Sequence, residues 1–234
     1  MEVVNYKEIF RIEKNNWRYK ARRHLLDLIL KSLAHDYDVA LDVGCCTGSN
    51  LSVLKKYSKQ VFGLDISAKA INFCKKLGYN ELLKCDFLTC KLEQKFDLIL
   101  CMDFLEHVDD IKAIKQIKRY LKKGGIFIFS VPAHNYLWNI NDLISKHLRR
   151  YEKQELINLL DGFKILKISY WNFLMFFPFF VFCKIKFVKK RNNLTFIPQS
   201  LNPILYSIMK IENYIFMRYG LPQGTSIIGF CKKI

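Results

Sequence analysis

Apolar residues in this chain fall into short runs separated by longer charged stretches, and that alternation predicts an α/β fold. The predicted strands are Val39–Val43, Gln60–Leu64, Glu81–Lys84, Phe96–Leu100, Ile126–Val131, Phe163–Tyr170 and Thr225–Lys232. The first reads as a parallel strand buried on both faces, because it is apolar almost throughout. Helical spacing occupies residues 8–34, where Leu25, Leu26, Ile29, Leu30 and Leu33 form a broad stripe. Further helices are predicted over Ser49–Tyr57, from Ser67 to near Gly78, over Ile111–Leu121 and over Glu152–Leu160. Ser67 suits an N-cap, and Gly124-Gly125 suits a helix stop. Residues 171–224 are left as an insertion before the last strand. It holds an apolar run, Phe173–Cys183, broken by Pro178, and an amphipathic helix over Ile204–Met217. The run is shorter than the ~20 residues a spanning helix needs.

One stretch concentrates the chemistry. Val39 to Asn50 reads V-A-L-D-V-G-C-C-T-G-S-N, an apolar strand with an acid, Asp42, and then Gly44 and Gly48 opening a helix. Glycines let the backbone turn tightly and approach a ligand, and the helix start presents a positive dipole end. The next strand closes on a second acid, Asp65. A dinucleotide loop wants G-x-G-x-x-G. Here Cys46 stands where a middle glycine would, and Asp42 would repel a phosphate, so a nicotinamide dehydrogenase is disfavoured. An acid in that place suits a ligand carrying an ammonium group.

The D-x-G-x-x-x-G loop, with an acid ending the following strand, resembles the cofactor loop of class I S-adenosylmethionine-dependent methyltransferases. The run L-K-K-G-G-x-x-x-x-S-V-P, Leu121 to Pro132, resembles a later segment of the same family. The resemblance implies a Rossmann-like fold: one domain over residues 1–234, a seven-stranded, mostly parallel sheet with an antiparallel last strand, and a helical C-terminal insertion. Residues 8–34 would flank the cofactor pocket, 39–170 would form the cofactor-binding core, 171–224 a lid or membrane contact, and 225–234 the last strand. It implies S-adenosyl-L-methionine as cofactor, held by Asp42, Gly44, Gly48, Asp65, Ile66, Asp86, Phe87 and Cys101. Asp65 would accept the ribose hydroxyls, Asp86 would take the adenine amino group and Phe87 would lie against the adenine ring.

The acceptor side is read from the residues after strand four. Asp103-x-x-Glu106-His107 resembles a pattern of ubiquinone-pathway O-methyltransferases, in which such side chains can hold a divalent metal. Capping or packing the next helix is the plainer role, and no metal ligand is assigned. An Asn/Asp-Pro-Pro-aromatic run and a Pro-Cys pair are both absent, which disfavours methylation of nucleic-acid bases. Pro132-Ala133-His134, Trp138, Asp142 and His147-Leu148-Arg149-Arg150-Tyr151 resemble the acceptor segment of some bacterial methyltransferases. His134 and His147 are the candidate bases, and Arg149 and Arg150 the candidate clamp for an acceptor anion.

Composition narrows the partners. The chain has 234 residues, 51% of them hydrophobic, so it can build a full core and is not disordered. A net charge of +17 fits an anionic partner, or no more than a lysine-rich composition. Eight cysteines without a C-x-x-C pair, and no apolar run at the N-terminus, fit reduced thiols in the cytoplasm. After Phe173–Cys183 come Lys184, Lys186, Lys189, Lys190 and Arg191, a pattern fit for the inner, anionic face of a membrane. The expectation is therefore a methyltransferase acting on a small-molecule or lipid-linked acceptor at oxygen or nitrogen. An RNA methyltransferase and a non-catalytic cofactor- or membrane-binding protein are the alternatives.

Overall fold

The computed structural model describes residues 5–184 and 198–234. Each predicted strand forms. They are β1 (Tyr37–Val43), β2 (Ser58–Asp65), β3 (Leu82–Lys84), β4 (Phe96–Met102), β5 (Leu121–Pro132), β6 (Phe163–Trp171) and β7 (Ser226–Lys233). They make one seven-stranded sheet in the order β3-β2-β1-β4-β5-β7-β6. β7 lies between β5 and β6 and runs antiparallel to both, while the other neighbours are parallel.

Side chains one residue apart point to opposite faces of a strand, and here both faces are dry. Leu41, Ile99, Cys101, Phe127 and Phe129 enter one core. Ala40, Leu98, Leu100 and Ile128 enter the other, beneath the helices α2 (Trp17–Leu33) and α9 (Asn202–Arg218). The remaining helices are α1 (Tyr6–Asn15), α3 (Leu51–Leu54), α4 (Ala68–Lys76), α5 (Asp110–Tyr120), α6 (Ile140–Ile144), α7 (Lys153–Leu159) and α8 (Phe176–Lys184). Ser67 is the N-cap of α4, as its position suggested.

Three boundaries differ from expectation. The helix predicted over 8–34 is two, because Asn16 ends one and starts the next: its N–H bonds Ile12 O, and its side chain accepts from Arg18 N–H at 2.9 Å. α3 is a single turn rather than a helix to Tyr57. β5 begins at Leu121, directly after α5, so the Gly124-Gly125 pair falls within the strand instead of stopping a helix.

The insertion is anchored by buried polar groups. Glu212 accepts from the N–H groups of Asn172, Phe173 and Leu174 at 2.6, 3.1 and 3.2 Å. Asn213 accepts from Trp171 Nε1 at 2.8 Å and donates to Ala21 O at 2.8 Å, tying α9 to both β6 and α2. α8 lies on the segment after β5, with Phe176 edge-on to His134 and Phe180 edge-on to Tyr136 at 5.7 and 6.0 Å. Lys186, Lys189, Lys190 and Arg191 lie outside the described residues. Among the described residues, no helix is long and apolar enough to cross a membrane.

Candidate functional site

The carboxyl ends of β1, β2, β4 and β5 meet on one edge of the sheet, where open α/β folds bind ligands. Gly44 follows β1 at φ +72 and Gly48 sits at φ +75, both in the left-handed region. The N–H groups of Gly44 and Cys45 donate to Leu64 O at 2.8 and 3.0 Å, which pins the turn to β2. Cys46 takes φ +47, a conformation a glycine adopts without strain. Cys46→Gly is therefore expected to raise stability by about 0.5–1 kcal/mol, the relief of strain being partly offset by chain entropy. The urea midpoint checks it.

Asp65 is held from both sides. One oxygen accepts from Cys46 N–H at 3.0 Å and the other from Ser67 N–H at 2.8 Å. Each oxygen keeps a second lone pair, the capacity a pair of ribose hydroxyls would use. Ile66, beside it, is exposed. Asp42 is buried, and neither of its oxygens has a hydrogen-bond partner. Burial pushes its pKa up to about 8. An orphaned acid beside a glycine turn fits a ligand that brings an ammonium group.

That burial has a sign. The folded protein keeps on Asp42 a proton that the unfolded chain loses near pH 4, so this group's contribution to stability falls as pH rises from about 4 to about 8. Asp42→Asn is expected to gain on wild type by on the order of 3 kcal/mol between pH 5 and pH 8. Denaturation at the two pH values measures the difference.

α1 lies across this loop. Glu13, buried, accepts from the Thr47 hydroxyl; Tyr6 OH meets Ser67 Oγ at 2.9 Å; Phe10 packs on Phe73 at 5.6 Å. Glu13, Tyr6 and Thr47 carry no local sequence signal, although residues 8–34 were expected to flank the cofactor pocket. Asp86 stands in the loop after β3, half-buried, its carboxylate accepting from Leu88 N–H at 2.9 Å.

Two residues expected at the cofactor lie in the core. Phe87 is 2% exposed and packs edge-on against Phe104 at 6.0 Å. Cys101 is wholly buried because it points into the same core as Ile99 and Phe127.

The acceptor side is rearranged too. Asp103 pairs with Arg22 and accepts from Ser130 Oγ at 2.7 Å. Burial opposes its ionisation, but Arg22, Arg18 and these bonds prevail and pull its pKa to about 2. Asp103 is thus engaged by Arg22, and the Asp103-Glu106-His107 pattern is not gathered. Glu106, His107 and His147 are brought together instead, with one ligating atom of each within 4.8 Å of the others. Glu106 is fully buried, neither oxygen has a partner, and burial followed by Asp103 raises its pKa well above the carboxylate range. Burial, then His147, lowers that of His107.

His147 and His134 part company. His147 Nδ1 bonds Asp142 at 2.8 Å, and Asp142 also accepts from Arg150 at 2.9 and 3.0 Å and from Asn139 N–H at 2.8 Å. A carboxylate on Nδ1 fixes the ring and leaves Nε2 for a proton or a ligand. His134 is 2% exposed, stacked between Tyr136 and Tyr170 at 4.7 and 4.8 Å, with Nδ1 on Glu152 at 3.1 Å. That stack encloses its ring, whereas the His147 ring is only partly covered. Of the two arginines expected to clamp an anion, Arg150 bonds Asp142 and Arg149 bonds Asp110 at 2.9 Å.

Comparison with known proteins agrees with the sheet. Residues 41–129 match the family model described as "Methyltransferase domain". An uncharacterized protein of Methanocaldococcus jannaschii is 32% identical over 158 residues, 65% of this chain and 66% of its own. A ubiquinone biosynthesis O-methyltransferase of Coxiella burnetii is 34% identical over 103 residues, 41% of this chain and 44% of its own. The chain thus spans less than two thirds of the length of these curated relatives. Among solved structures, the N-methyltransferase NodS of Bradyrhizobium japonicum, in complex with S-adenosyl-L-homocysteine, superposes with a TM-score of 0.59 at 14% identity, over 95% of this chain and 90% of that one. Strand order, the antiparallel β7 and this likeness agree: the chain has the Rossmann-like fold of class I methyltransferases.

Proposed function

We propose that this protein is an S-adenosylmethionine-dependent methyltransferase acting on an oxygen or nitrogen of a small-molecule or lipid-linked acceptor. The observation that carries the reading is Asp65, fastened by two amides beside the Gly44–Gly48 turn. The orphaned Asp42 and the matched residues 41–129 support it. Gly44, Gly48, Asp42, Asp65, Ile66 and Asp86 would hold the cofactor, whose sulfonium supplies an activated methyl group. The protein's own tasks are to place the acceptor in line and to exclude water. α1 and the insertion supply cover at this edge. His147, oriented by Asp142, accepts the acceptor's proton at Nε2 where the acceptor must lose one.

The test is transfer of labelled methyl from S-adenosylmethionine to three pools: water-soluble metabolites, a lipid extract and total RNA. Label is expected in one of the first two and lost in His147→Ala, with cofactor binding unchanged. Label in RNA alone would replace this acceptor class. Cofactor binding without transfer to any pool would favour a non-catalytic member.

The orphaned, buried Glu106 favours a second reading of the same place. Glu106, His107 and His147 fit a divalent cation, which would polarise an acceptor hydroxyl there. Chelation is then expected to lower kcat roughly tenfold or more without changing S-adenosylhomocysteine binding. An activity indifferent to chelator would discard the ion.

A further inference from the structure

α9 carries two apolar faces, and only one is covered. Met209, Asn213 and Phe216 are buried, packed toward α2. On the other side Ile204, Ile208, Ile211 and Ile215 are 58, 36, 63 and 42% exposed. Their spacing aligns them on one stripe along the helix. Lys210, Tyr214 and Arg218 run beside that stripe at four-residue steps, all exposed. Next to it, Leu174 is fastened through its N–H to Glu212, and with Phe177 and Val181 it forms a second exposed stripe running into α8. α8 in turn reaches the acceptor segment through Phe180 and Tyr136. Isolated exposed apolar residues are ordinary, but stripes of them, here linked where Glu212 holds the Leu174 N–H, mark an interaction surface.

The charge around these stripes selects the occupant. After Asp161 the chain has eleven Lys and Arg residues and one acid, Glu212. That acid is buried and spent on three backbone N–H groups. The described outer surface of this part of the chain is therefore apolar and cationic, with no side-chain carboxylate on it. A second copy offers the same positive surface and would repel, since the whole chain carries +17. Neither described helix of the insertion is long and apolar enough to cross a bilayer, so the fit is to its surface.

We propose that the outer faces of α8 and α9 dock on an anionic lipid bilayer, with the acceptor segment at the edge of the contact. Aliphatic side chains enter the headgroup boundary, and Lys210 and Arg218 beside them meet lipid phosphates. As the route by which a lipid-linked acceptor arrives, this rests on the methyltransferase reading; as a docking surface it does not, and its test uses no cofactor.

The experiment is cosedimentation of the full chain with vesicles of phosphatidylcholine alone and with vesicles containing about one third phosphatidylglycerol. Binding to the anionic vesicles is expected, weakened by salt, and reduced roughly tenfold or more by the paired substitution Ile208→Glu and Ile211→Glu. Both positions are exposed, so an unchanged thermal midpoint serves as the folding control. No binding, equal binding to the neutral vesicles, or full binding by the paired variant would overturn the proposal. So would a wild-type dimer that the same substitutions dissociate, which would give the stripe to a second copy. Failure in any of these ways leaves methyl transfer in solution unaffected, and the two readings fail separately.

Discussion

Asp65→Ala is expected to weaken binding of S-adenosylhomocysteine by roughly a hundredfold or more. Two losses combine. The carboxylate no longer offers acceptors to a ribose, and it releases the N–H groups of Cys46 and Ser67. A hydrogen bond to a charged group is worth about 1.5–3 kcal/mol, so two such bonds reach a hundredfold. The fold should persist, because Asp65 is only half-buried at the end of β2, and Leu64 O still pins the glycine turn. Titration calorimetry on the variant and the wild type measures the ratio. A change below roughly threefold would mean that Asp65 only caps its loop.

Asp142→Ala is expected to have the largest effect on stability, about 3–5 kcal/mol, the cost of breaking a buried ion pair from one side. The carboxylate is 1% exposed and accepts from Arg150, His147 and the Asn139 N–H. Its removal leaves a buried guanidinium with the Ala133 carbonyl and the Phe179 ring as its remaining partners among the described residues. The capping box that starts α6 is lost with it. Urea denaturation reads the loss. Replacing both partners, Asp142→Leu with Arg150→Met, should restore most of the stability, since a buried pair exchanges for apolar groups at little net cost. It should not restore turnover, because His147 still lacks its orienting carboxylate. Recovery of both together would reduce Asp142 to a structural role.

Much of this was legible in the chain, for physical reasons that differ from element to element. Buried parallel strands announce themselves as unbroken apolar runs, which is why β1 and β4 stand close to their expected places. The starts of β2 and β5 did not, because Ser58 pairs with Tyr37 and Leu121 with Phe96 ahead of the apolar runs. Gly44 and Gly48 were readable because a turn at positive φ selects glycine. Cys46 showed that the same geometry can be held by another residue when its N–H is tied to Asp65.

Direction of side chains was not legible. Phe87 and Cys101 sit at the expected sheet edge, yet both turn into the core, a choice made by packing across the sheet. Nor were partners distant in sequence. Asp103 stands in a motif that resembles a metal-binding pattern, and Arg22, eighty-one positions away, pairs with it. Likewise His134 and His147 look alike as letters. One is closed inside an aromatic stack, while the other rests on Asp142 and faces Glu106 and His107. The insertion declared its composition plainly, but its hooks at Glu212 and Asn213 depend on backbone groups that composition does not reveal.

The measurement that bears most directly on the central claim is calorimetric titration of the wild-type protein with S-adenosylmethionine and with S-adenosylhomocysteine. The account predicts one site for each, competing with the other. Absence of binding by either, from protein shown to be folded, would contradict it and leave the Gly44–Gly48 turn and Asp65 as a strand-to-helix connection without a ligand.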